Sequence, residues 1–526
     1  MRPRYPEAVS HAPRTPHLSP AEAAALRSDL AQWTVDSIGE IVGERATAAL
    51  GREQLLPARR AARAAGRERT ALLTRLLMLG DQLTRGDVDA ALPRLGAEGI
   101  IRCGLAEAAG HGADDVVQAR LDLRPYAAAD GEDVVTWWVA SDLGEAVTGT
   151  RLTDDHVLGI GGASTTLASV TMRQPVERVL DLGTGSGIQA LHASRHAREV
   201  VATDISHRAL AFAEFNRVLN NPPAAWDIRE GSLLEPVAGE RFDLVVSNPP
   251  FVITPPDAPH FEYRDGGMSG DGIVRSLVST VGSVLAPGGI AQMLGNWEVR
   301  RGDGWTHRLE EWLDVSAGAG HPLDAWIIQR DVLDPAAYAE TWLRDAGITP
   351  ERDRALHDAA YSAYLDDFDA RGVEAVGFGI ITLRLAHGAP TLHRLEEHQG
   401  PLPVPLGPHL AATLSAHDWL EAHSDGEVLA ERWVVAADVT QESYARPGAE
   451  HPEHVLLRQG GGFGRSVKAD TALAGFVGAC DGELTGAQIA TALAALLDVP
   501  TDPMHSGLAT AVRDLARDGF ITQTGE

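Results

Sequence analysis

Apolar and polar positions along this chain change period several times, and those changes divide it into segments. Short apolar runs at 179–182, 200–203, 242–247 and 290–294 are bounded by turn residues and separated by stretches of helical spacing, notably 188–197 and 271–285. Strand alternating with helix predicts an α/β fold with an open, doubly wound, Rossmann-like sheet. Ahead of it, residues 20–105 read as helical from a start at Ser19-Pro20, with Thr84 capping a helix over 87–96. Ile100, Ile101 and then 119–123 and 134–139 alternate like strands around the turn Asp130-Gly131, and helices followed by a hairpin predict a winged-helix-like domain. Residues 303–375 read as an insertion with helices at 304–313 and 335–346 and a strand at 326–331, before a further strand at 376–385. The proline-rich stretch 401–406 reads as a linker. Beyond it, Thr485 capping 486–497, a helix at 506–518 and the run Gly519-Phe520-Ile521-Thr522 predict a second, small winged-helix-like domain.

Two motifs carry the chemistry. Leu180-Asp181-Leu182-Gly183-Thr184-Gly185-Ser186-Gly187 lies on a strand-to-helix turn, and its alternating glycines leave no side chain between backbone and a ligand. Dinucleotide-binding turns use the spacing G-x-G-x-x-G instead. The spacing found here, with Asp181 available for an ammonium group, suits the methionine part of S-adenosyl-L-methionine better than a pyrophosphate. Asp204 ends the next strand, 204 − 181 = 23 residues on, where an acid binds both ribose hydroxyls. The third strand ends in Asn248-Pro249-Pro250-Phe251. Its prolines fix φ and remove two donors, so the Asn248 side-chain oxygen and the Pro249 carbonyl are presented as acceptors able to grip one NH2 group. Such an amide or nucleobase nitrogen is a poor nucleophile because its lone pair is delocalised. Accepting both hydrogens favours the pyramidal geometry of attack, and Phe251 can stack on the planar group.

On these residues the chain resembles a class I S-adenosylmethionine methyltransferase of the branch bearing an NPP(Y/F) motif, over roughly residues 155–300. It is most similar to the HemK-type release-factor glutamine methyltransferases, whose motif is followed by a Glu and by Asp-Gly-Gly and Asp-Gly patterns, here Glu262, Asp265-Gly266-Gly267 and Asp271-Gly272. Phe stands for the usual Tyr, Ser232 replaces an acidic residue that often faces adenine, and the flanking regions differ; the first two departures also occur in nucleobase N-methyltransferases. The resemblance implies that Asp181, Gly183, Thr184, Gly185, Ser186 and Gly187 hold the methionine end. It places Asp204, Ile205 and Ser232 along the nucleoside and Asn248 at the reacting end, with Ser164 and Thr165 in an approach segment, 158–167, that closes over the cofactor. A turn with an N-cap is the plainer reading of Ser164 and Thr165. Trp297, ending its strand on the ligand side, reads either as pocket wall or as core. The family's antiparallel closing hairpin would be formed by 326–331 and 376–385, leaving the insertion over the substrate entrance.

Composition narrows the alternatives. The chain has 526 residues, too many for one ordinary core. Its expected parts are a disordered stretch 1–19, a helical substrate-recognition domain 20–150, the methyltransferase domain 151–390 and a linker with a small domain, 391–526. No long apolar run or signal core occurs, so a cytoplasmic protein without membrane partners is expected. Cys103 and Cys480 are the only cysteines, too few for a disulfide framework or an iron–sulfur cluster. His192 and His196 share a helix face without a nearby Cys, and no metal is expected. The Gly460–Arg465 loop lacks a P-loop lysine and reads as a hairpin turn.

A formal net charge of −28 opposes broad attraction to nucleic acid. The arginines 45, 52, 59, 60, 63, 67, 69 and 75 are a local exception, read first as a solvated face. The expected substrate is a protein glutamine, with a translation factor as partner. An exocyclic amine in RNA or DNA is the alternative, and a nucleic-acid-binding or scaffold protein with a vestigial site is the reading from another class.

Overall fold

The computed structural model describes residues 15–130, 133–256, 258, 264–402, 404–448 and 451–524. Residues 1–14, Gly131, Glu262 and Pro403 lie outside them. The chain divides into two compact units, one of residues up to Ala168 with Pro175–Pro390, the other of Ser169–Gln174 with Thr391–Glu526.

The first unit is built on a sheet of strands β1 (Val176–Leu182), β2 (Ala197–Asp204), β3 (Ala225–Glu230), β4 (Phe242–Ser247), β5 (Leu285–Arg300), β6 (Leu323–Leu333) and β7 (Val373–Leu385). They are ordered β3-β2-β1-β4-β5-β7-β6. Neighbours from β3 to β5 pair in parallel, while β7 runs antiparallel to both β5 and β6. The order reverses between β1 and β4, and in such sheets a crevice opens there at the carboxyl ends of the strands. Both motifs sit at those ends. The β6–β7 hairpin is the expected closing pair, and Trp297 is core: its indole N–H donates to Gln329 at 3.0 Å and its ring lies across Gly377 and Gly379 of β7.

Several boundaries differ from the sequence reading. The helix expected over 87–96 stops at Ala91, because Pro93 disfavours helical backbone at Leu92, and a separate helix Gly96–Arg102 holds Ile100 and Ile101. A small antiparallel sheet joins Leu83–Thr84, Val116–Ala119 and Ala106–Ala108. The ribbon of Leu121–Asp130 with Asp133–Asp142 is a separate element, so Ala119 and Leu123 belong to different sheets. The helix after Gly187 ends at Ala193. That from 271 covers Gly272–Thr280, and β5 opens at Leu285 with an irregular register through the Gly288-Gly289 turn. Helix 304–313 forms instead as His307–Gly318, since Gly302 takes a positive φ of 86° and holds the preceding turn open. The helix Arg354–Arg371 was not read at all, although Ala360, Tyr364 and Phe368 form its buried stripe.

The helical region and the sheet domain are one unit rather than two. Ala209, Phe212, Phe215 and Leu219 of the helix His207–Asn220 share a core with Leu26, Trp33, Leu72 and Leu123. The ribbon is fastened to the same helix: Asn216 bonds both backbone groups of Ala140 and also the Ser186 carbonyl, and Asn220 bonds both backbone groups of Trp138.

In the second unit, helices Gly486–Leu496 and Thr501–Arg517 pack around Trp433, Phe476 and Phe520. The strand Ile521–Gln523 pairs with Arg432–Val435, which also pairs with Asp481–Thr485. The glycine-rich loop 460–465 is the turn between strands His454–Gln459 and Ser466–Ala469.

Candidate active site

The glycine turn is shaped by left-handed backbone at three alternating positions, with φ of 73°, 53° and 84° at Gly183, Gly185 and Gly187. Any other residue is strained there. At Gly183 and Gly185 nothing lies within 4 Å of where a Cβ would stand, so these two edge open space, whereas Gly187 packs against Ala213 and Trp226. A cavity of about 1690 Å³ lies beyond the turn, larger than one small ligand requires. Gly183, Thr184, Gly185, Ser186, Asp204, Ile205, Ser232, Asn248, Pro249, Pro250, Ser164 and Thr165 all line it. Asp181, Gly187 and Phe251 do not.

Asp181 is sealed beneath the turn. It is 1% exposed, and one carboxylate oxygen accepts both the Thr184 hydroxyl at 2.6 Å and the Ala190 N–H at 2.9 Å. It braces the turn and does not line the cavity, which speaks against the ammonium role read from the sequence. Burial pushes its carboxyl up to about 7, against the pull of those two donors. The sign of the pH effect follows. Below about pH 4 the group is protonated folded or unfolded; as pH rises to about 7 the unfolded chain ionises while the folded site resists; above that the full cost is present. The Asp181→Asn variant therefore gains thermal stability relative to the parent between about pH 4.5 and about pH 8. A difference in melting temperature that stays constant over that range would show that Asp181 titrates ordinarily.

Asp204 ends β2 with its carboxylate tied to the turn, accepting from the Gly185 N–H and the Ser206 N–H, each at 2.9 Å. Burial raises its pKa, and those backbone donors oppose the rise. Beside it Ile205 is 66% exposed, an apolar side chain left uncovered at the cavity wall. Ser164 and Thr165 stand in the first turns of the helix Gly162–Val170, where the Thr165 hydroxyl bonds back to Gly162 at 3.0 Å and the Ser164 carbonyl accepts Gln189 at 2.8 Å.

At the end of β4 the Ser247 hydroxyl bonds the Leu182 carbonyl at 2.8 Å, so the two motif-bearing strands end side by side. Next in sequence, the Asn248 side-chain oxygen is buried without a hydrogen-bond partner among the described residues. A buried acceptor left empty costs roughly 1–3 kcal/mol. At a cavity wall such an acceptor is open to a donor brought by a ligand.

Phe251 turns away and packs with Val252, Ile253, Tyr338 and Tyr364 against the helices of the insertion, so the stacking role read for it is not served in this arrangement. The Asp-Gly-Gly pattern has a packing reason: a Cβ at Gly266 would stand 2.9 Å from the Pro250 carbonyl and 2.7 Å from Ile273. Asp265 accepts Thr254 at 2.6 Å, and Asp271 holds Arg308 and the Glu298 N–H. Sequence reasoning missed the ribbon's share of the wall, Asp122, Arg124, Tyr126, Val139 and Ser141. Their period-two spacing was the available signal.

Residues 159–300 match the family model described as the methyltransferase small domain, and residues 30–119 match a domain of unknown function, DUF7059. A ribosomal protein uL3 glutamine methyltransferase of Bradyrhizobium diazoefficiens is 32% identical over 35% of this chain and 59% of its own length. A release factor glutamine methyltransferase of Geobacter sulfurreducens is 38% identical over 21% of this chain and 42% of its own. The chain thus spans about half the length of these curated relatives. A solved T. thermophilus 16S rRNA N2 G1207 methyltransferase covers 52% of this chain and 67% of its own at 16% identity, with a TM-score of 0.25, too slight a likeness to bear on function.

Proposed function

We propose that this chain is an S-adenosylmethionine-dependent N-methyltransferase acting on a planar NH2 group, and that the group is a protein glutamine side chain. The observation that carries the reading is the unpartnered, buried Asn248 oxygen at the cavity wall, one strand away from an open glycine turn. When bound, S-adenosylmethionine supplies an activated methyl group. Gly183, Gly185 and Ser186 would lie along its methionine part, Asp204 would accept its ribose hydroxyls, and Ile205 with Ser232 would flank its base. Asn248, with the Pro249 carbonyl, would hold the substrate nitrogen by both hydrogens. The protein's contribution is then orientation and exclusion of water, since neither a strong base nor a covalent intermediate is required.

The relatives' names favour a protein glutamine over a nucleobase. The arginine-rich helices are partly neutralised: Arg59, Arg63 and Arg75 converge on Asp81, and Arg67 and Arg69 pair with Asp87 and Asp29, so three carboxylates offset part of the charge an RNA backbone would need. A translation factor as the protein partner and a cytoplasmic setting belong to the same proposal; no helix among the described residues is long and apolar enough to cross a membrane. The three-stranded sheet and helices of residues 69–119, in winged-helix-like order, would serve to position that partner.

The direct test is methyl transfer from labelled S-adenosylmethionine into a cell extract, divided between nuclease and protease treatment. Label removed by protease and kept through nuclease is expected, with N5-methylglutamine in the hydrolysate; label lost to nuclease would replace the substrate, and no label would end the reading. Asp204→Ala is expected to weaken S-adenosylhomocysteine binding about 10- to 100-fold through loss of its charge-assisted bonds. Titration calorimetry giving an unchanged Kd would remove Asp204 from the site.

A further inference from the structure

With Asp181 turned inward, the cavity wall still offers carboxylates, and all but one of the buried ones are occupied. Asp142 is held by Arg208 and the Val157 N–H, Asp265 by Arg264 and Thr254, and Glu145 by Arg352. Asp204 is tied to the turn itself. The exception is Asp122 of the ribbon. One of its oxygens pairs with Arg124, but the other is buried with no hydrogen-bond partner among the described residues, on a side chain only 7% exposed. Burial raises its carboxyl to about 6, with Arg124 pulling the other way.

The register of the ribbon says where that carboxylate lies. Tyr126 pairs with Trp137, Arg124 with Val139, and Asp122 with Ser141. Side chains at directly opposed positions of an antiparallel pair share a face. Tyr126 and Trp137 cover His192, the Tyr126 hydroxyl lying 3.0 Å from the imidazole Nε2. Val139 covers Ile188 and Leu191. One pair further along, Asp122 and Ser141 line the same cavity as the glycine turn, and Asn216 ties the neighbouring Ala140 backbone to the Ser186 carbonyl. Ser141 also meets the approach segment: a Cβ at Gly159 would be 2.9 Å from its hydroxyl.

Resting on the cofactor reading above, we propose that Asp122 is the carboxylate that receives the α-ammonium group of the cofactor's methionine part. The anchor comes from outside the residues that match the methyltransferase model, 159–300. The ribbon thereby acts as part of the cofactor site and not only as a connection between the helical region and the sheet.

The test is calorimetric titration of the full chain and of its Asp122→Asn variant with S-adenosylhomocysteine and with 5′-methylthioadenosine, which keeps the nucleoside and sulfur but lacks the amino-acid end. Loss of a charge-assisted bond predicts about 10- to 100-fold weaker S-adenosylhomocysteine binding in the variant, with methylthioadenosine unchanged. The second ligand also reports that the variant's site is folded. Unchanged S-adenosylhomocysteine affinity, or equal weakening of both ligands, overturns the assignment. If the parent chain binds neither ligand, the cofactor reading fails and the assignment falls with it.

Discussion

Asn248→Ala is expected to lower methyl transfer about 10²- to 10³-fold, the range seen when one preorganised hydrogen-bonding group is removed from a reacting centre. Its affinity for S-adenosylhomocysteine should stay within about twofold, because the glycine turn and Asp204 do not depend on this side chain for any hydrogen bond. The reason for so large an effect is that Asn248 has no structural duty for its oxygen, which is buried and empty. Filling that position with a substrate N–H satisfies an acceptor that the fold leaves unpaired, and the prolines that follow hold the backbone so that the acceptor does not retreat. The alanine variant therefore loses orientation of the nucleophile, and what it recovers by removing an empty buried acceptor is stability of the fold and not rate. Single-turnover kinetics would separate this from a loss of cofactor. Near-parental rates would mean that the empty oxygen has another purpose and that the NH2 reading is wrong.

Gly379→Ala is expected to prevent stable folding of the first unit, costing about 4 kcal/mol or more. The added methyl would stand 2.6 Å from the Trp297 ring and closer still to the Ile328 carbonyl on the paired strand. Neither neighbour can give way: Trp297 is fully buried with its indole committed to Gln329, and the carbonyl belongs to the β6–β7 ladder. Overpacking against backbone is not relieved by a rotamer change. Thermal denaturation and the soluble yield would report the result, and a variant as stable as the parent would show that the sheet slides more freely than its packing suggests.

What was legible in the sequence was local. The glycine turn, Asp204 and Asn248-Pro249-Pro250-Phe251 announce themselves because a few adjacent residues determine both backbone shape and chemistry, and the alternation of strand and helix was enough for the class of the sheet, though not for its order or for the strand Ala225–Glu230. What failed depended on partners far along the chain. Asp181 was given to a ligand because its burial under Thr184 and Ala190 is decided by how the turn folds back. Phe251 was given a stacking role because the helix Arg354–Arg371 that helps cover it had not been recognised, although its apolar residues recur at every fourth position. The ribbon was read as a shorter wing, and Asp122 was passed over, since a carboxylate on an alternating strand looks solvated until a helix some seventy residues later is laid across the same face. The arginines were read first as a solvated face, and Arg63 and Arg67 are exposed, but their pairing was not legible because Asp81, which gathers three of them, lies outside their run.

The bracket formed by Asn216 and Asn220 has a consequence for where this molecule ends as a working part. The match to the methyltransferase small-domain model begins at residue 159, which invites excision there. A fragment cut at that point would strip the helix His207–Asn220 of both ribbon carbonyls and of the apolar cover it shares with Leu26 and Trp33. The smallest piece expected to fold alone is therefore larger than the one that matches the methyltransferase model, because the helical region and the sheet share one core.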